Sequence, residues 1–208
     1  MFDKSVRVVI DPLLDRVARS LVQFGITANA VTWLGFLLGG AAALCIVYHA
    51  YIWGLILLGA SRICDGLDGA VARADTSHRG ATDLGGFLDI VLDFAFYGMI
   101  PMAFILADPV NNAVAGGVLL FVFYVNGASF LTYALMMEKR GLEGHDRGSK
   151  SLVYTTGLAE ATETIAAFVL FCLFPAWFSV IAYIFAAIVV ITTITRFALA
   201  YQVFGAED

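Results

Sequence analysis

Four carboxylates lie in a stretch that is otherwise built like membrane. Between Cys64 and Asp93 the chain reads CDGLDGAVARADTSHRGATDLGGFLDIVLD. Asp65 and Asp68 are spaced i, i+3; Asp89 and Asp93 are spaced i, i+4. On an α-helix each spacing puts the pair on one face. Two such helices set face to face bring the four carboxylates into one small volume. Like charges that close do not all stay ionised without cations between them. Ligands that are all oxygen, with no His or Cys among them, suit hard ions such as Mg2+, Mn2+ or Ca2+. The cost sharpens the reading. An acidic residue at mid-bilayer costs roughly 2.5–3.5 kcal/mol on insertion scales. Four of them, all deep, would cost about 10 kcal/mol, comparable to the whole stability of a typical domain. Cation binding near a wet interface offsets it. Capping and solvated loop charge account for Asp75 and Asp83, but not for a helix-face spacing that occurs twice.

The surroundings are those of an integral membrane protein. The 208 residues are 61% hydrophobic with a mean hydropathy of +0.87, which excludes a soluble domain. The expected fold is all-α: six transmembrane helices preceded by an N-terminal amphipathic interfacial helix. A single domain is expected over residues 1–208, with the interfacial helix in 1–26 and the six-helix core in 29–202. In the first segment Val6, Ile10, Leu13, Leu14, Val17 and Leu21 recur at helical spacing, with Lys4, Arg7, Arg16 and Arg19 on the remaining faces. The spans are expected near 29–49, 51–73, 84–107, 112–137, 154–174 and 177–202, each close to the twenty or so residues a bilayer core needs. Apart from Arg62 and Arg196, every Lys and Arg belongs to the N-terminal segment, the two long joints or their borders. The short joints around Ala50, Asp108 to Asn111 and Pro175 carry none. By the positive-inside rule both termini, and the carboxylates, are on the cytoplasmic side of the cytoplasmic membrane. Asp3, Lys4 and Arg7 have no apolar run behind them, so no cleavable signal is expected. The scattered Cys45, Cys64 and Cys172 read as packing residues.

Asp65, Asp68, Gly69, Ala72, Arg73, Gly85, Asp89 and Asp93 spell D-x2-D-G-x2-A-R followed by G-x3-D-x3-D. This pattern resembles that of the CDP-alcohol phosphotransferases, also called CDP-alcohol phosphatidyltransferases. The joint between Arg73 and Gly85 is longer than in the usual form, and the additional residues fall in the polar run Asp75 to Thr82. The resemblance implies transfer of a phosphatidyl (substituted phosphate) group from a CDP-linked donor, such as CDP-diacylglycerol, to an alcohol acceptor, releasing CMP. It implies two divalent cations, Mg2+ or Mn2+, on Asp65, Asp68, Asp89 and Asp93, with Asp93 as general base. It also implies donor binding by Asn29, Thr32, Asp65, Gly69, Ala72, Arg73 and Gly85, and a homodimer among membrane lipids. Nucleic acid is not an expected partner.

The rest of the chain speaks less specifically. Thr27 or Asn29 would serve as a helix N-cap. Gly35 and Gly39 form a GxxxG suited to close helix packing. Interhelical hydrogen bonds account for Asn126, Ser129 and Thr132. Glu160 and Glu163 form another i, i+3 pair, and with Lys139 and Arg196 they are candidates for the acceptor; pairing with Arg147, Lys150 or Arg196 explains the two Glu equally well. A divalent-cation transporter is the alternative to an enzyme, since it also places Asp clusters in spans. The sequence past Asp93, FAFYGMIPMAFIL, argues against it by closing the way to the far side.

Overall fold

The computed structural model describes residues 3–75, 82–141 and 161–205, with side chains of the first helix from Leu13 onward. All regular structure among the described residues is helical. The order is α1 (Asp3–Gln23), α2 (Ala28–Val47), α3 (Tyr51–Ala74), α4 (Asp83–Ala107), α5 (Pro109–Lys139), α6 (Ala161–Leu173), a 3-10 turn (Pro175–Trp177) and α7 (Phe178–Phe204). Four of these stretches are long and apolar enough to cross a membrane: α2, α4, α5 and the 3-10 turn with α7. The chain is an integral membrane protein. Its outward faces carry large apolar side chains, among them Leu37, Trp53, Ile63, Phe121 and Ile194. Such surface is tolerable in lipid and not in water. α3 is as long as its neighbours but holds Arg62, Asp65 and Asp68 in mid-helix. The 154–160 part of the expected fifth span lies outside the described residues.

Local chemistry sets the helix ends. α1 stops at Gly25, whose φ of +76° is the left-handed geometry that glycine adopts freely; Gly25 N donates to Val22 O and Ile26 N to Leu21 O. Thr27 caps α2 by accepting from Ala30 N at 3.3 Å, and Thr82 caps α4 by accepting from Gly85 N at 3.0 Å. Asp108 caps α5, accepting from Asn111 N and Nδ2 at 3.2 and 2.8 Å. Those bonds hold its carboxyl below the ordinary carboxylate range. With Asp108 as cap and Pro109 as the first helical residue, α5 begins three residues before the expected 112. Its 31 residues span roughly 46 Å, more than a bilayer core.

α2 is the central strut. It packs along α3 and also against α4, while α5 packs on α7 and α4. α3 is flanked by α1 and α6. Gly35 and Gly39 explain the closeness around α2. A Cβ on Gly35 would lie 3.1 Å from Cys64 Cβ of α3; one on Gly39 would lie 2.6 Å from the Phe96 ring of α4. The main core is aromatic. Phe96, Phe104, Phe168, Phe171 and Phe178 are almost fully buried, with Phe104 and Phe178 stacked at 4.9 Å. A second cluster joins α1 to α3 through Leu14, Ala18 and Leu21 against Leu67, Ala70 and Val71.

Candidate active site

α3 and α4 each lean on α2 and only lightly on one another. The gap between them is where the carboxylates meet. Thr32, Gly35 and Phe36 of α2, Arg62, Asp65 and Asp68 of α3, and Asp89, Leu92 and Asp93 of α4 line one small cavity. Its free volume, about 10 Å³, is that of a single water-sized sphere. Asp65, Asp89 and Asp93 each offer one oxygen within 4.8 Å of the others. Asp68 is turned differently. It is 7% exposed, and its Oδ2 accepts from Thr32 Oγ1 at 2.7 Å. The Thr32 hydroxyl also lies 3.1 Å from Ala28 O, but it has one proton, and the shorter contact to a carboxylate is the stronger.

Arg62 of α3 enters this cluster as well. Its Nη1 lies 2.8 Å from Asp93 Oδ1 and 3.3 Å from Asp65 Oδ1. The side chain is 11% exposed. Its Cζ lies 3.8 Å from the centre of the Phe96 ring, and Nη2 donates to Ser61 Oγ at 3.2 Å. Ser61 Oγ in turn donates to Gly35 O at 2.7 Å. The guanidinium is therefore fixed by an aromatic face and a hydroxyl as well as by the two carboxylates. α3 thus brings one cation of its own into a site of four carboxylates. The Arg62–Asp65 half of this arrangement was readable as an i, i+3 pair on one helix. The Arg62–Asp93 half depends on how α4 is placed.

On the other side of α4 lies a groove of about 580 Å³ between α4, α5, α6 and α7. Asp89 and Asp93 border it as well, together with Tyr97, Asn126, Thr164 and Arg196. Phe94, Leu120, Phe123 and Phe130 supply apolar wall. Arg196 Nη1 donates to Asn126 Oδ1 and Ser129 Oγ, both at 2.8 Å, and to Asn126 O at 3.1 Å. Thr193 Oγ1 lies 3.2 Å from the same Asn126 Oδ1, its one proton going to the nearer Val189 O at 2.8 Å. Asn126 and Ser129 thus make the interhelical bonds expected of them, and those bonds hold Arg196 at the groove.

Thr32 and Asp65 line the small cavity, and Asn29 faces Gly85 closely enough that a Cβ there would meet Asn29 Oδ1 at 3.2 Å. Gly69, Ala72 and Arg73 continue along α3 beyond the cavity lining. Arg73 is exposed, with Nη2 at 4.0 Å from Asp15 Oδ1 of α1. Lys139 is exposed at the end of α5 and Glu163 is half-buried in the first turn of α6; neither lines the groove. Glu160, Arg147 and Lys150 lie outside the described residues. The donor set of Asp65, Asp89 and Asp93, all carboxylate oxygen and closely spaced, fits a hard divalent cation.

Comparison with known proteins bears on this geometry. The family model described as CDP-alcohol phosphatidyltransferase matches residues 25–195. The chain is 45% identical over 196 residues to inner membrane protein YnjF of Escherichia coli, covering 94% of this chain and 93% of that one. It is 33% identical over 164 residues to the archaetidylinositol phosphate synthase of Methanothermobacter thermautotrophicus, covering 79% of this chain and 71% of that one. In three dimensions it is similar to the phosphatidylinositol phosphate synthase of Mycobacterium tuberculosis solved with CDP-DAG bound. The TM-score there is 0.67 at 20% identity, over 91% of this chain and 94% of that one. The same synthase in complex with manganese and citrate gives a TM-score of 0.60 at 19% identity, over 90% and 88%. The family match covers the carboxylate motif and most of the bundle, and the chain belongs to the CDP-alcohol phosphatidyltransferase family of membrane enzymes.

Proposed function

We propose that this enzyme transfers a phosphatidyl group from CDP-diacylglycerol, or a similar CDP-linked lipid, to an alcohol acceptor and releases CMP. The observation that carries the reading is the position of Asp89 and Asp93. They border the small polar cavity on one side of α4 and the large groove on the other. A group held on the α2–α3 side and one held on the α5–α7 side would meet at these two carboxylates.

The donor's nucleotide end is assigned to the α2–α3 side, with Asn29, Thr32, Asp65, Gly69, Ala72, Arg73 and Gly85 as its contacts. Thr32 keeps Asp68 in place through its 2.7 Å bond. Mg2+ or Mn2+ on Asp65, Asp68, Asp89 and Asp93, as two ions, supplies neutralisation of phosphate charge. Asp93 takes the proton of the acceptor hydroxyl. The acceptor oxygen then bonds to the phosphorus that carries the diacylglycerol, and the bond from that phosphorus to CMP breaks. Arg62 Nη1 donates to Asp93 Oδ1, so this carboxylate is already held from the α3 side. The acceptor is assigned to the groove beside Arg196; Lys139, Glu160 and Glu163 are the further candidates for contacting it. The buried Phe96, Ile100 and Phe104 close α4 beyond Asp93, which favours transfer over transport.

The bundle is proposed to be a single domain of six spans, with α3 and α6 crossing beside the four apolar helices, and to pair as a homodimer. α1 is placed at the cytoplasmic surface, as are both termini and the site. The test is purified protein in lipid nanodiscs with radiolabelled CDP-diacylglycerol, Mn2+ or Mg2+, and a panel of acceptors: glycerol 3-phosphate, inositol phosphate, serine and a lipid alcohol. Label should move to at least one acceptor with CMP released, and exhaustive EDTA should stop it. Donor binding without transfer to any acceptor, or full turnover in EDTA, would overturn the reading.

A further inference from the structure

Arg62 poses a question that transfer chemistry does not answer. A site that must gather divalent cations holds a permanent positive charge against two of its carboxylates. Nη1 bridges Asp93 Oδ1 and Asp65 Oδ1 at 2.8 and 3.3 Å, the same pair of side chains that offers oxygens to a cation with Asp89. This is not a passing surface pair. The side chain is 11% exposed, its guanidinium lies on the Phe96 ring, and Nη2 is held by Ser61, itself fixed to the α2 backbone. Phe96 is fully buried and belongs to the aromatic core, so the platform under the guanidinium is rigid.

We propose that Arg62 is a resident cation that ties α3 to α4 across the carboxylate gap and opposes divalent-cation binding at Asp65 and Asp93. The carboxylates then stay together in the ion-free protein, and an incoming ion must compete with a charge already there. The inference rests on the divalent-cation part of the proposed function. Its physical content is a sign. A residue that merely shapes the ligands would weaken ion binding when removed; a competing charge strengthens it. The same argument ties Arg62 to folding, because α3 and α4 otherwise meet only lightly and their facing carboxylates repel.

The test is Mn2+ binding to the donor-free protein in nanodiscs, followed by calorimetry and by the loss of the free Mn2+ EPR signal. Arg62→Gln and Arg62→Met remove the charge, Met keeping an apolar stem over Phe96. Arg62→Lys keeps the charge. Both neutral variants should bind Mn2+ more tightly, by on the order of tenfold, since a unit charge a few ångströms from the ligands exceeds the energy of one such factor. Arg62→Lys should stay within about threefold of wild type. Weaker or unchanged binding in the neutral variants overturns the proposal. Absence of Mn2+ binding by the wild type overturns instead the divalent-cation reading beneath it. If the neutral variants do not fold in EDTA, purification in Mn2+ should restore them, because the ion takes over the neutralisation; failure of Mn2+ to do so also overturns the proposal.

Discussion

On the proposed function, the carboxylates and their neighbours would divide labour. Asp93→Asn keeps size and an oxygen for Arg62 but cannot accept a proton at neutral pH. Single-turnover transfer should fall about 10²- to 10⁴-fold, the usual range for loss of a general base, while donor affinity measured by calorimetry stays within a few-fold. A rate near wild type would move the proton acceptor elsewhere; loss of donor binding as severe as in Asp65→Asn would make Asp93 chiefly an ion ligand. Thr32→Val keeps the shape but leaves buried Asp68 without its 2.7 Å partner. Losing a hydrogen bond to a charged group costs about 1.5–3 kcal/mol of stability, so Thr32→Val should lower the thermal unfolding midpoint in detergent, and an unchanged midpoint would mean the bond contributes nothing. Arg196→Gln should raise KM for the acceptor several-fold more than KM for the donor, because Arg196 lines the groove and not the small cavity. Much of this site was readable from spacing, since i, i+3 and i, i+4 dictate which face a carboxylate occupies whatever the fold. The Thr32–Asp68 bond and the Arg62–Asp93 pair were not. Each joins residues more than thirty positions apart, on helices whose relative rotation no local pattern encodes.

At the level of helices, α2 is what shapes the gap. Gly39 and Gly40 are adjacent in sequence yet should respond oppositely to alanine. A Cβ on Gly39 would press into Phe96 at 2.6 Å and Ser61 Oγ at 3.2 Å, whereas nothing lies within 4 Å of one on Gly40. Gly39→Ala should cost about 1–3 kcal/mol through overpacking and displace the ring beneath Arg62. Gly40→Ala should be neutral or stabilising by up to about 1 kcal/mol, through helix propensity. Thermal unfolding of both variants in the same detergent checks the pair; equal shifts would mean that α2 and α4 are not in the contact described. The GxxxG spacing announced a close approach but not its partners, which turn out to be α3 at Gly35 and α4 at Gly39. The start of α5 lies before the expected 112 because Asp108 to Asn111 reads as a polar joint. Asp108 and Pro109 override that composition with a cap and a preset φ.

For the whole molecule, hydropathy alone gave helix limits within a few residues over most of the chain, because the bilayer sets the length of an apolar run. The sidedness of those runs is testable. Tags at both ends should be inaccessible from outside sealed cells, and tags in the joints at Ala50 and Asp108 should be accessible; the reverse pattern would place the carboxylates on the wrong side for a cytosolic nucleotide. What hydropathy could not show is that α3 and α4 stand apart on α2, with a second compartment behind α4. That partition has a kinetic consequence. On the proposed function, donor and acceptor would reach Asp89 and Asp93 from opposite sides of α4, so neither need leave before the other arrives. Initial rates at varied donor and acceptor should therefore give intersecting double-reciprocal lines, the mark of a ternary complex. Parallel lines would demand that a side chain first take the phosphatidyl group as CMP leaves and then yield it to the acceptor, and a carboxylate is a poor nucleophile for that relay.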